Sequence, residues 1–291
     1  MDILTSPGKM RAWAREQVVL GNKTALVPTM GFFHEGHLSL MRMAARHADA
    51  VVVSLFVNPM QFGPNEDLDR YPRNFTKDCE LAEEEGVAVL FAPEAEAMYP
   101  AGFQTTVSVE HLSRSLCGAD RPGHFNGVTT VVSKLFHVVQ PDFAVFGQKD
   151  FQQLAIIRRM VQDLDMGVEV LAHPIVREQD GLAMSSRNAY LNADQRKSAL
   201  SLSKGIALAR SLVKEGERQT AVLGEQVKEH ILSYSGTGID YISFVERDSL
   251  EPVDRAEQDT LLALAVTIND QVRLIDNGLL GGVLTAGPDS S

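Results

Sequence analysis

Cysteine is nearly absent. Cys79 and Cys117 are the only two in 291 residues, far apart and in no C-x-x-C spacing, which excludes a disulfide framework and a thiolate metal site and suits a reducing cytoplasm. Long apolar runs are missing as well. The longest apolar-rich stretch, 50–57, is far short of the ~20 residues of a bilayer span, and the opening M-D-I-L-T-S-P-G-K-M-R lacks the apolar core of a signal peptide. The expectation is a cytoplasmic protein, neither exported nor membrane-embedded. Positive charge is scarce: 27 basic against 38 acidic residues leave a net charge of -11, which repels nucleic acid and anionic membrane surfaces. An anionic ligand must therefore be small and held by local positive groups. There is no internal repeat, low-complexity tract or long linker, and only the tail after Gly281 reads as loose.

The composition, 44% hydrophobic and 22% charged, is that of a globular chain able to bury a sizeable core. At about 150 residues per domain the length suggests two domains. Up to about residue 175, short apolar runs at 24–27, 50–57, 87–91, 143–146 and 168–172 alternate with helical patterns at 37–47, 74–85, 128–139 and 151–163. Runs that are apolar throughout suit strands buried on both faces of a parallel, doubly wound sheet. Residues 105–109 alternate instead and are expected to form an edge strand or small ribbon. Beyond 193 come helical patterns at 194–214 and 220–234, then strand-like runs at 239–245, 261–268 and 272–275. The predicted class is α/β: a doubly wound domain over 1–175 and a smaller C-terminal α+β lid domain over 176–291.

Five stretches carry chemistry. P-T-M-G-F-F-H-E-G-H at 28–37 lies between a buried strand and a helix, where free backbone N–H groups favour phosphate. His34 and His37, three residues apart with Gly36 between them, suit neutralising charge as phosphorus is attacked. The plain alternative is a pair of histidines at a helix cap or in a core, and the flanking strand, helix and P-T-M-G lead-in weigh against it. The rings of Phe32 and Phe33 read as packing. F-G-Q-K-D-F-Q-Q at 146–153 is a second strand end feeding a helix: Gly147 suits a tight turn, Asp150 an N-cap, and Lys149 projects a point charge towards phosphate. G-L-A-M-S-S-R-N at 181–188 offers hydroxyl and guanidinium donors to a polyphosphate. With no obvious partners but phosphate, 180–188 is expected to be mobile without a bound nucleotide. In F-V-N-P-M-Q-F at 56–62, Gln61 suits an uncharged polar pocket. R-P-G-H-F at 121–125 is equally an active-site wall or a helix entry.

These motifs, with Y-P-R at 71–73 and, more loosely, R-L-I-D-N at 273–277, closely resemble the pantothenate synthetases, or pantoate-β-alanine ligases. The resemblance implies a Rossmann-like fold related to the class I aminoacyl-tRNA synthetases and small nucleotidyltransferases, with H-E-G-H matching their H-x-G-H signature. M-S-S-R matches a variant of their mobile K-M-S-K-S loop, Ala183 standing where a lysine would begin it. It implies an AMP-forming acid–amino-acid ligase that condenses pantoate with β-alanine through a pantoyl adenylate, releasing AMP and pyrophosphate and making pantothenate, a coenzyme A precursor. His37, His34 and Lys149 are then the catalytic candidates. ATP-binding candidates are Thr29, Met30, Gly31, Phe32, Phe33, His34, Glu35, Gly36 and His37; Gly147, Gln148, Lys149 and Asp150; the backbone of Val176; and Met184, Ser185, Ser186 and Arg187. Gln61 and Gln153 are carried over as pantoate-binding residues, Gln61 also near β-alanine. Mg2+ is expected on the phosphates rather than in a protein cage, and a homodimer is implied. A nucleotidyltransferase that moves AMP onto a phosphate ester, or a nucleotide-binding regulator without catalysis, remains the alternative.

Overall fold

The apolar runs at 24–27, 50–57, 87–91 and 143–146 do form largely buried strands, whereas the run at 168–172 forms an edge strand in which only Ala172 is buried. The computed structural model describes residues 1–64 and 66–281; the tail after Gly281 lies outside them. In chain order the first elements are β1 (Asp2–Leu4), α1 (Pro7–Leu20), β2 (Thr24–Thr29), α2 (Glu35–His47), β3 (Ala50–Leu55), α3 (Phe75–Glu84), β4 (Val89–Phe91) and α4 (Ala95–Met98). Then come α5 (Cys117–Asp120), α6 (His124–Val139), β5 (Phe143–Gly147), α7 (Phe151–Asp163) and β6 (Glu169–His173). Last are α8 (Ala193–Lys214), α9 (Thr220–Leu232), β7 (Thr237–Val245), β8 (Leu261–Ile268) and β9 (Val272–Leu279). Packing divides the described residues into two units: Met1–Ser113 with Arg121–Gln148 and Gln153–His173, and Arg114–Asp120 with Lys149–Gln152 and residues 174–281.

In the first unit six strands, ordered β1-β4-β3-β2-β5-β6, pair in parallel throughout. From β2 the chain steps outward through β3 to β4, then returns to lay β5 on the other side of β2. That reversal is a topological switch point, where open α/β sheets bind ligands beyond the carboxyl ends of their strands. One face of the sheet, Ala25, Val27, Val51, Val53, Leu90 and Val145, is covered by Met41 and Ala44 of α2. β1 and α1 carry no clear sequence signal: β1 is three residues long, and α1 buries only Met10, Ala14 and Gln17 while Val18, Val19 and Leu20 face solvent.

Residues 105–109 are not a strand. The Val107 amide donates to Thr130 Oγ1 at 2.9 Å and its carbonyl accepts from Thr129 Oγ1 at 2.5 Å, so threonines of α6 satisfy the backbone that a sheet neighbour would otherwise pair. The second unit is an antiparallel sheet, β7-β8-β9, with α8 against β8 and β9 and α9 against β7. Its core joins Leu202, Ile206, Leu223, Val227 and Ile231 to Leu262, Leu264 and Val266. Among the described residues no helix is long and apolar enough to cross a membrane.

Candidate active site

The first of the two switch-point strands, β2, is anchored at its end by Thr29, whose Oγ1 donates to the Ser54 carbonyl of β3 at 2.7 Å. The chain then turns through two left-handed residues, Gly31 at φ +86° and Phe32 at φ +55°. Glycine adopts this region freely, but phenylalanine does so under strain. Asp78 of α3, 2% exposed, holds the turn: its two carboxylate oxygens accept from the Phe32 amide at 2.8 Å and the Phe33 amide at 2.7 Å. Burial pushes this carboxyl up from its ordinary range, and the two amide bonds only partly offset that. A β-carbon on Gly31 would lie 3.0 Å from Asp78 Oδ2, a tight contact that adds to the preference for glycine set by φ.

The fixed turn delivers His34 to the N-cap of α2 and His37 to its first turn. The His34 amide faces His37 Nδ1 at 3.3 Å, and the two rings lie 4.1 Å apart between centroids. Because a backbone N–H only donates, Nδ1 must accept, and neutral His37 carries its proton on Nε2. Glu35 is committed to Arg42, which also donates to Glu85 at 2.9 Å. Phe33 packs on the core beneath α2 and lies 5.5 Å from the His37 ring, in keeping with its reading as a packing residue.

Gln61 ends a 3-10 turn, Pro59–Gln61, that follows β3. Asn58, 1% exposed, locks it by donating Nδ2 to the Gly127 carbonyl at 3.0 Å and to Gln61 Oε1 at 3.1 Å, while its Oδ1 accepts from the Tyr99 hydroxyl at 2.7 Å. Gln61 Nε2 is thereby aimed at Met30 Sδ, 3.1 Å away. A thioether is only a weak acceptor for this amide. The Gln61 carbonyl accepts from His124 Nδ1 at 2.7 Å and Arg121 at 3.3 Å, and Arg121 in turn grips Glu66. Burial raises the Glu66 carboxyl, yet its bond to Arg121 leaves it below the ordinary range. R-P-G-H-F is therefore the entry to α6, and its Arg121 and His124 hold the Gln61 backbone.

Gly127 is where α6 meets this turn. A β-carbon there would overlap the Met60 carbonyl and lie 2.7 Å from the Gln61 amide nitrogen, both of them backbone. Gly127→Ala is expected to cost about 1–3 kcal/mol by overpacking and to displace Gln61. Chemical denaturation checks the effect on stability.

The other switch-point strand, β5, ends at Gly147, and Gln148–Asp150 continue it as a 3-10 turn with Gln148 buried. Gln153 follows in the first turn of α7, half-buried. Lys149 and Asp150 pack with the second unit. Lys149 Nζ is 4.0 Å from Asp150 Oδ2, and its carbonyl accepts from Asn277 Nδ2 at 2.8 Å. The same unit holds Val176, Met184, Ser185, Ser186 and Arg187. The Val176 carbonyl accepts from the Met184 amide at 2.9 Å, and Arg177 bridges Ala183 in antiparallel fashion, so the serine stretch leaves from a small hairpin. Asp180 pairs with Arg196 at 2.8 Å, Asn188 donates to Glu178 at 2.7 Å, and Ser185 Oγ accepts from the Arg187 amide at 3.2 Å. The premise that 180–188 lacks partners other than phosphate is thus overturned, because charged and amide groups of this same region supply them. Ala183 is 5% exposed, leaving its place unsuited to a lysine.

The sequence model of the pantoate-β-alanine ligase family matches residues 2–279. The chain belongs to this family. The pantothenate synthetase of Geobacter sulfurreducens is 54% identical over 281 residues, 97% of this chain and 99% of that protein. Among solved structures, the pantothenate synthetase from Thermus thermophilus superposes with a TM-score of 0.92 at 42% identity, covering 97% of this chain and 100% of that one. The pantoate-β-alanine ligase from Francisella tularensis, complexed with β-γ ATP and β-alanine, gives a TM-score of 0.79 at 30% identity, covering 97% and 98%. The resemblance drawn from the motifs holds, as does the Rossmann-like fold. In this pantoate-β-alanine ligase, Asp78 and Gly127 lie outside the motifs, and Asn58 and Asn277 lie inside them with no role assigned from sequence; each bonds another residue's backbone or amide. For Asn58 and Asn277 the motifs themselves are the available signal; for Asp78 and Gly127 the sequence carries none, because burial and close approach exist only in the folded chain.

Proposed function

We propose that this ligase condenses pantoate with β-alanine in two steps, using ATP as substrate. The observation that carries the reading is the Asp78-braced turn at the switch point, with the His37 proton placed on Nε2 by the bond to Nδ1 and Gln61 aimed at Met30. A carboxylate is a poor target for an amine because its oxygen leaves badly. Adenylation removes that obstacle: pantoate's carboxylate attacks the α-phosphorus, pyrophosphate departs, and the neutral amine of β-alanine attacks the acyl carbon and expels AMP.

In this reading His37 donates from Nε2 to phosphate oxygens, with His34 beside it and Lys149 meeting the developing charge. Thr29 to Gly36 surround the nucleotide mainly with backbone, as does the Gly147–Gln148 end of β5, while Asp150 lies beside the Lys149 ammonium. Met184, Ser185, Ser186 and Arg187 donate to the triphosphate, and the Val176 backbone receives adenine. Gln61 and Gln153 orient pantoate, Gln61 also receiving β-alanine. Mg2+, if bound with ATP, would supply charge neutralisation for the departing pyrophosphate. The carboxylates nearest the histidines suit no cage, since Asp78 is engaged by amides and Glu35 by Arg42, so the phosphates hold the ion. The working form is assigned as a cytoplasmic homodimer, with nucleotide and pantoate recognition in residues 1–175 and the lid role in 176–291.

Incubation with MgATP, pantoate and β-alanine tests the reading. Pantothenate, AMP and pyrophosphate are expected in equal amounts. A dinucleotide-like product would favour transfer of AMP onto a phosphate ester, and no turnover would favour a nucleotide-binding regulator.

A further inference from the structure

R-L-I-D-N ends in two buried polar residues, Asp276 at 3% and Asn277 at 5% exposure, on β9. Buried polar groups persist only where they are bonded, and the bonds of these two lead to residues from distant parts of the sequence. Asp276 takes both guanidinium nitrogens of Arg177, at 2.7 and 2.9 Å, and its Oδ1 also accepts the Asn277 amide at 2.8 Å. Arg177 donates further to the Gly181 carbonyl at 3.1 Å, closing the hairpin from which Met184 to Arg187 departs. Asn277 Nδ2 donates to the Lys149 carbonyl at 2.8 Å.

We infer that Asp276 and Asn277 are positioning residues that hold, from one strand, both the lysine and the serine stretch that act on the triphosphate. The inference rests on the assignment of Lys149 to phosphate made above. A fork of two N–H groups on one carboxylate fixes direction as well as distance, so the hairpin is oriented by the same short run that fixes the Lys149 backbone. The bond to a carbonyl restrains where the lysine side chain begins without touching its charge.

The test is a double-mutant cycle on the full-length protein. Asn277→Ala alone is expected to lower kcat about tenfold, the scale of one lost hydrogen bond, with KM for pantoate within twofold. In a Lys149→Ala background the same substitution should change kcat less than twofold, because nothing remains to be positioned. Asn277→Ser, which keeps a short donor, should recover part of the loss and serves as the probe if the alanine variant does not fold. An undiminished tenfold effect in the Lys149→Ala background, or no effect of either Asn277 variant on kcat, overturns the positioning role. Full turnover by Lys149→Ala alone overturns the Lys149 assignment itself, and the inference with it.

Discussion

His37→Ala is expected to lower turnover on the order of 10²-fold or more, and Lys149→Ala to do likewise, the scale of losing one donor aimed at charge that develops in the transition state. The two losses have different origins. His37 offers a directed N–H, since the His34 amide occupies Nδ1 and leaves the proton on Nε2, whereas Lys149 offers a point charge on a stem whose backbone is bonded to Asn277. His37 is half-buried and its bond to the His34 amide is long, at 3.3 Å, so its removal should leave the thermal midpoint nearly unchanged. Steady-state kinetics beside thermal denaturation separates the effects. A variant that folds normally and turns over at close to the wild-type rate removes that residue from the catalytic set.

The features legible in the sequence are those whose cause is local. β2, β3 and β5 announce themselves as short apolar runs because both faces of a central parallel strand are buried. The histidine pair, Gln61 and Lys149 stand beside strand ends and could be placed from spacing alone. What escaped reading depends on partners far along the chain. The bond that braces Phe32 comes from Asp78, 46 residues away, and the one that holds Lys149 comes from Asn277, 128 residues away. No window of sequence contains both ends of either. Residues 105–109 failed for a related reason: their alternating pattern is that of a strand, but threonine side chains of α6 had already answered the backbone groups that a strand would pair. β1 is too short to register as a pattern.

The order of bond making is the central claim. If the acid is activated before the amine arrives, enzyme mixed with MgATP and pantoate alone should release pyrophosphate in a single turnover. A mixed anhydride left open to water would hydrolyse, so the site must exclude solvent, and little free AMP should accumulate until β-alanine is added. Rapid-quench analysis with α-labelled ATP reads both species directly. Expected is one equivalent of labelled pantoyl adenylate per active site, discharged to AMP and pantothenate on addition of β-alanine. Absence of any adenylate, with pyrophosphate and AMP appearing only when all three substrates are present, would contradict the two-step mechanism.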